Sequence, residues 1–188
     1  MNFLEYQRMV IAYHGCDQSV VDNVLAGGEL KQSENDYDWL GTGIYFWEQG
    51  PGRASDWAVF MRKRGRVGKP AVLGAVIQLG NCLDLLDVTM TRRLQEIYPR
   101  FEEGLRKDGG DIPNNQPARK MHNLDCAFLN WAIPILEAAD RVSYHTIRGV
   151  FVEGVPLYSS SQLYTESHIQ LAVRNSSAIV GYFLPAKP

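Results

Sequence analysis

The stretch Asp38-Trp-Leu-Gly-Thr-Gly-Ile-Tyr-Phe-Trp47 decides how the rest of the chain is read, together with Tyr13-His14-Gly15 upstream of it. Gly41 and Gly43 flank one threonine, and glycine lets a backbone turn tightly or approach a ligand where a β-carbon would clash. The run Ile44–Trp47 reads as a short strand, with Tyr45 and Trp47 on one face and Ile44 and Phe46 on the other. A glycine corner that delivers a tyrosine suits the wall of a site for a flat, partly polar ligand. Plain turns that lead into core strands share this pattern, so the stretch by itself leaves both readings open.

Working outward, 188 residues with 45% hydrophobic content fit one domain with a real core. A net charge of −2 and a pI near 6.1 give no global signature of a nucleic-acid binder, although a local basic patch is not excluded. The start, Met1 to Arg8, holds no long apolar run, so neither a signal peptide nor a membrane span is expected. Cys16, Cys82 and Cys126 are odd in number, far apart and without zinc-type Cys/His spacing. No metal is expected, and a reducing cytoplasm is the expected compartment.

Residues 9–15 read as a buried strand ending in a His-Gly corner. Asp17 or Ser19 is placed to cap a helix over 20–26 that Gly27-Gly28 stops. Residues 31–38 read as a loop and 48–52 as a turn. The spacing over 54–64 predicts a helix with Trp57, Phe60 and Met61 inward and a basic end at Arg62-Lys-Arg64. Residues 71–79 form the clearest strand, with a second apolar piece at 82–86. Residues 90–107 look helical, 107–120 read as a loop rich in turn formers, and 125–139 as a helix kinked or interrupted at Pro134. Strands are expected at 149–153, 168–174 and 178–184. The mixed order of elements predicts an α+β fold.

In this order, Tyr13-His14-Gly15, Gly41-Thr-Gly-Ile-Tyr-Phe46, the helix with Ala54 and Trp57, the strand Leu73–Asn81 and the ending Gln170–Phe183 resemble an ADP-ribosyltransferase domain. The resemblance is to the diphtheria-toxin and poly(ADP-ribose) polymerase branch, whose signature is histidine, tyrosine and glutamate. It covers most of the chain as one domain, 1–188, apart from a largely helical segment at about 90–148. It implies a split β-sheet core of two packed, mostly antiparallel sheets with flanking helices. It also implies NAD as substrate: His14 would bind the adenosine ribose, the Gly15 backbone would clamp the nicotinamide carboxamide, and Tyr45 would stack on the nicotinamide ring. Gly43 belongs to the same glycine corner. Trp57 is a second wall or a core tryptophan, reached by a one-residue insertion. Cys16 stands where relatives carry Ser or Thr, and nothing in the sequence activates it as a nucleophile.

The main departure is Gln170, which falls where the branch has its glutamate. Glutamine keeps the hydrogen bond to the nicotinamide ribose but not the anionic charge, which argues for mono-transfer over chain elongation. His168 and Glu166 would share its strand face, as acceptor-orienting residues or as an exposed edge. The resemblance thus implies a mono-ADP-ribosyltransferase acting on a macromolecular acceptor (protein, DNA or RNA), of the kind found among small toxins and phage-defence effectors with an antitoxin partner. An NAD glycohydrolase, a non-catalytic NAD or ADP-ribose module, and an unrelated interaction domain remain alternatives. Arg62–Arg66 and Arg92-Arg93 suit a phosphate backbone or a solvated face. The 107–120 loop is a candidate for acceptor recognition.

Overall fold

Eight strands and four helices build the computed structural model, which describes residues 5–116 and 120–186. The elements are β1 (Glu5–Asp17), α1 (Gln18–Leu25), β2 (Ile44–Glu48), α2 (Pro51–Lys63), β3 (Pro70–Asp84), α3 (Val88–Lys107), β4 (Asn115–Gln116), β5 (Met121–His122), α4 (Asn123–Asp140), β6 (Thr146–Phe151), β7 (His168–Val173) and β8 (Ile179–Phe183). The expected α+β class holds.

The sheet, however, is not two separate layers. β1 pairs antiparallel with β3 along almost its whole length, and β8 lies on β3's other edge. β2 pairs with β7 and β7 with β6, all antiparallel. Two short ladders join these groups: β1 meets β2 at Ala12↔Glu48 and Tyr13↔Trp47, and the end of β3 runs parallel to β6 from Cys82↔Thr146 to Asp84↔Arg148. Five strands therefore close a circuit, and one mixed six-stranded sheet replaces the expected pair. The cause is the length of β3. Its pairing with β1 runs from Pro70 to Asn81, and its last three residues, Cys82–Asp84, run beyond β1 and take up β6.

One core gathers Ala12, Ile44, Phe46, Leu73, Ala75, Ile77, Leu171 and Val173, with Val21 and Val24 of α1. Phe46 is fully buried, a side chain whose removal from a core costs about 3–5 kcal/mol. A second core packs α3 and α4 on β6 and β7, through Met90, Leu94, Leu129, Ile133 and Leu136 against Ile147 and Ala172. That packing accounts for the unrecognised segment 90–148: it is largely a helical layer on β6 and β7.

Several local expectations change. Residues 48–52 are not all turn, because Pro51 takes the first position of α2, where its missing N–H has no helical partner to lose. The apolar pieces at 71–79 and 82–86 are one strand; Gly80, at φ +58°, absorbs the irregularity that the sequence suggests as a break. Pro134 does not interrupt α4, and Pro99 lies inside α3. Both prolines face solvent, where water can take up the freed carbonyls. Asp17 does cap α1, accepting from Ser19 N at 3.0 Å, and also from Gly68 N and Lys69 N ahead of β3. Those bonds hold its carboxyl well below the usual carboxylate range.

Candidate functional site

The β1–β2 ladder stops after Tyr13↔Trp47, and there the two strands part. His14 fills the gap, its Nδ1 2.7 Å from the Tyr45 carbonyl oxygen. A carbonyl only accepts, so Nδ1 carries the proton and Nε2 keeps its lone pair. Burial pushes the ring's pKa down and favours the neutral form, an effect that the bond to Tyr45 offsets in part. His14 is thus an acceptor at the bottom of a cleft of about 760 Å³.

Gly15 is forced by packing as well. A β-carbon there would overlap the Ala54 carbonyl oxygen, so the first turn of α2 lies directly on β1. Gly41 sits at φ +73°, and Thr42 N donates to Asn130 Oδ1 at 3.0 Å. Gly43 exchanges two backbone bonds with Ser33, of 2.8 and 3.1 Å. Tyr45 stands between these glycines and the cleft. Its phenol accepts from Leu40 N at 2.8 Å and donates to the Gly41 carbonyl at 2.7 Å, so the hydroxyl locks the glycine corner while the ring walls the cleft. Tyr45→Phe should therefore cost about 1–3 kcal/mol of stability by leaving two backbone groups unpaired. Its ring, and with it any stacking, would remain; urea denaturation beside NAD titration separates the two.

Tyr45 and Trp47 do share one face of β2, with Ile44 and Phe46 in the core on the other. Trp57 is not a core residue. Ala54 and Ala58 are the buried positions of α2, and Trp57, Phe60 and Met61 line the cleft instead of pointing into the core. Gln170 lies on β7 between Trp47 and Gly149, and Leu40 and Phe151 pack over Gly149. His14, Gly15, Gly43, Tyr45, Trp57 and Gln170 all line this one cleft. Lys31, Arg53, Arg64, Arg66 and Lys120 border it against only Asp38 and Glu153, a cationic lining in a chain of net charge −2.

His168 opens β7, and Glu166 precedes it. β7 is not an edge, since β2 and β6 flank it, and the half-exposed Glu166 is held by ion pairs. The Glu166 carboxylate is 2.9 Å from Arg53 Nη1, while Arg53 Nη2 is 2.6 Å from Glu153, and Lys120 Nζ lies within 3.8 Å of both acids. His168 Nδ1 donates to the Glu166 carbonyl at 2.7 Å, and burial pushes its pKa down.

Both histidines titrate below the ordinary 6.5. Above pH 6.5 neither folded nor unfolded chain binds these protons. As the pH falls through 6.5 the unfolded chain takes them up first, so stability drops until the folded pKa values are reached. Urea midpoints should fall between pH 7.5 and 5.5, and fall less in a His14→Gln variant.

Arg53, Lys120, Glu153 and the stacked Trp39 were not legible from the sequence. Glu153 meets Glu166 only because the hairpin between β6 and β7 brings Glu166 N to the Glu153 carbonyl at 3.1 Å. Trp39 is sandwiched between His122, at 3.8 Å, and Phe151, at 3.6 Å. Of the basic clusters, Arg64 and Arg66 reach the cleft, whereas Arg93 pairs with Asp140 at 2.7 Å and ties α3 to α4. The 107–120 loop contains β4, which pairs with β5, and its last residue, Lys120, borders the cleft; residues 117–119 lie outside the described residues. Cys16 is buried, its thiol pushed up to about 11 by burial and by Asp17 beside it, which leaves it unreactive. Among the described residues no group of three or more His, Cys, Asp or Glu is placed to hold a metal, and no helix is long and apolar enough to cross a membrane.

No protein-family model matches the chain, and no solved structure matches it significantly. Among curated proteins, an uncharacterized protein of Methanocaldococcus jannaschii is 39% identical over 46 residues, 24% of this chain and 21% of that protein. The chain thus spans about a fifth of the length of that relative, whose name carries no activity.

Proposed function

We propose that the chain is an NAD-dependent mono-ADP-ribosyltransferase. The observation that carries this reading is the convergence of His14, Gly15, Gly43, Tyr45, Trp57 and Gln170, drawn from five separate elements and loops, on one cleft with a cationic lining. His14 Nε2, a fixed neutral acceptor, suits a ribose hydroxyl. Tyr45 and Trp57 offer flat walls for the nicotinamide, and the cations at the border suit the diphosphate. Gln170 hydrogen-bonds the nicotinamide ribose. Positioning then does most of the chemistry: nicotinamide leaves, and an acceptor nucleophile captures ribose C1. A macromolecular acceptor and a toxin or defence role with an antitoxin partner belong to the same proposal, and rest on the resemblance of the motifs.

One observation favours a second reading, a binding module for NAD or ADP-ribose: no carboxylate stands at position 170. Turnover separates the two. We expect purified protein to release nicotinamide from NAD, faster when cell extract supplies an acceptor. Release that is indifferent to extract would make it a glycohydrolase. A rise in Tm with NAD but no release would leave the binding module.

A further inference from the structure

The peptide unit between Gly41 and Thr42 is held at both of its polar ends. Its carbonyl accepts from the Tyr45 hydroxyl at 2.7 Å, and its N–H donates to Asn130 Oδ1 at 3.0 Å. An N–H only donates, so Asn130 presents its amide oxygen here, and its nitrogen faces Cys126 Sγ at 3.5 Å. A β-carbon on Gly41 would stand 2.5 Å from the same Oδ1, so the amide is seated directly against the glycine. Leu40 N donates to the Tyr45 hydroxyl at 2.8 Å. One unbroken chain of hydrogen bonds therefore links Leu40, Tyr45, the 41–42 peptide and Asn130.

Gly41 makes this joint soft, because a glycine at φ +73° leaves the peptide that follows it more than one accessible tilt. The tilt decides where the carbonyl points, and the carbonyl holds the ring that walls the cleft. The outer pin comes from α4. Ahead of that helix, His122 N donates to the Tyr37 carbonyl at 3.2 Å. Within it, Asn123 Nδ2 donates to the Asp36 carbonyl at 3.1 Å, Cys126 Sγ to the Asn35 carbonyl at 3.3 Å, and Asn130 takes Thr42 N. Positions 123, 126 and 130 share one helix face, while Leu129 and Ile133 anchor the helix in the core. The loop wall of the cleft is thus carried by the segment 90–148, which the resemblance does not cover.

We propose that Asn130 is a positioning residue: through the 41–42 peptide it sets the tilt of the Tyr45 ring against the nicotinamide. The inference rests on the NAD reaction proposed above. Asn130 does not line the cleft. It lines a separate polar cavity behind the glycine corner, with Gln32, Thr42 and Arg174. Its influence on the substrate therefore passes through Tyr45.

The test sets Asn130→Ala and Asn130→Asp beside Tyr45→Phe and the Ala–Phe double variant, each shown by circular dichroism to be folded at the assay temperature. Nicotinamide release from NAD is one readout, and hydrogen exchange of the Leu40 amide is the other. Asn130→Ala keeps the ring but frees the peptide, so kcat should fall about 10–10²-fold, the scale of a misplaced group. The KM for NAD should stay within about threefold, because the stacking surface remains. Asn130→Asp keeps the acceptor and should hold kcat within about threefold of wild type. Tyr45→Phe breaks the same chain, so adding Asn130→Ala to it should cost less than about twofold more. Leu40 exchange should quicken in the Ala variant and not in the Asp variant. Unchanged kcat in Asn130→Ala would overturn the proposal. Equal losses in the Ala and Asp variants, or losses that multiply in the double variant, would reduce Asn130 to a general support of the fold. Wild type that releases no nicotinamide, with Leu40 exchange still quickened by Asn130→Ala, would leave the hydrogen-bond chain standing. That result would sink the NAD reading, and the positioning role with it.

Discussion

Arg148→Ala is expected to lower the free energy of unfolding by about 3–5 kcal/mol, the cost of stripping one partner from a buried ion cluster. Arg148 lies on β6 with 6% of its side chain exposed. Its Nε is 2.6 Å from Glu48 at the end of β2, and its Nη1 is 3.2 Å from Asp84 at the end of β3. Glu48 and Asp84 are themselves 5% and 9% exposed, so removing the guanidinium leaves Asp84 with no cation and Glu48 with only the exposed Arg8, 3.4 Å away. The three residues sit where the circuit closes, at the short ladders that join β1 to β2 and β3 to β6. A variant that exchanges all three for apolar residues of similar volume should lose much less, because no charge is then left unpaired. Urea denaturation of both variants decides. An Arg148→Ala loss below about 1 kcal/mol would mean that the cluster does not hold the circuit together.

Gln170→Ala should lower nicotinamide release about 10²–10³-fold, the scale of losing one fixed hydrogen-bond donor to the transition state. Gln170→Glu should raise it above wild type by about tenfold or more, because a carboxylate adds charge stabilisation beside the forming cation. Position 170 accommodates the change: glutamate has nearly the shape of glutamine, and the cationic lining of the cleft offsets one more negative charge. Steady-state kinetics on NAD would show the effect in kcat. If Gln170→Glu were slower than wild type, the amide itself would be the functional group, and position 170 would have a role that the resemblance does not describe.

Much of the site could be read one residue at a time. The alternation Ile44-Tyr45-Phe46-Trp47 sorts core from cleft by the two-residue period of a strand alone, and His14 before a glycine marks a corner. Gln170 emerges from the order of the motifs along the chain. Trp57 was harder. Helical spacing groups it with Phe60 and Met61 as the inward face, yet Gly15 draws Ala54 and Ala58 onto the sheet and so turns the aromatic residues toward the cleft. No periodicity in α2 carries that information, because it lies in a glycine 39 positions earlier.

The sequence by itself determined most of the strands and helices and the α+β class, since these depend on local alternation, capping and turn chemistry, and the resemblance of its motifs pointed to His14, Tyr45 and Gln170. Only the tertiary structure decided that the strands close a circuit, because closure depends on how far β3 outruns β1 and β8. Tertiary structure likewise put His14 where two strands part and joined Arg53 to Glu153 and Glu166 across roughly a hundred residues of chain. Among the described residues it also left Trp47 Nε1, Arg53 Nε and His168 Nε2 unpaired. Hydrogen-bond satisfaction is a property of what surrounds an atom, and in this chain those surroundings come from β2, α2 and β7 together.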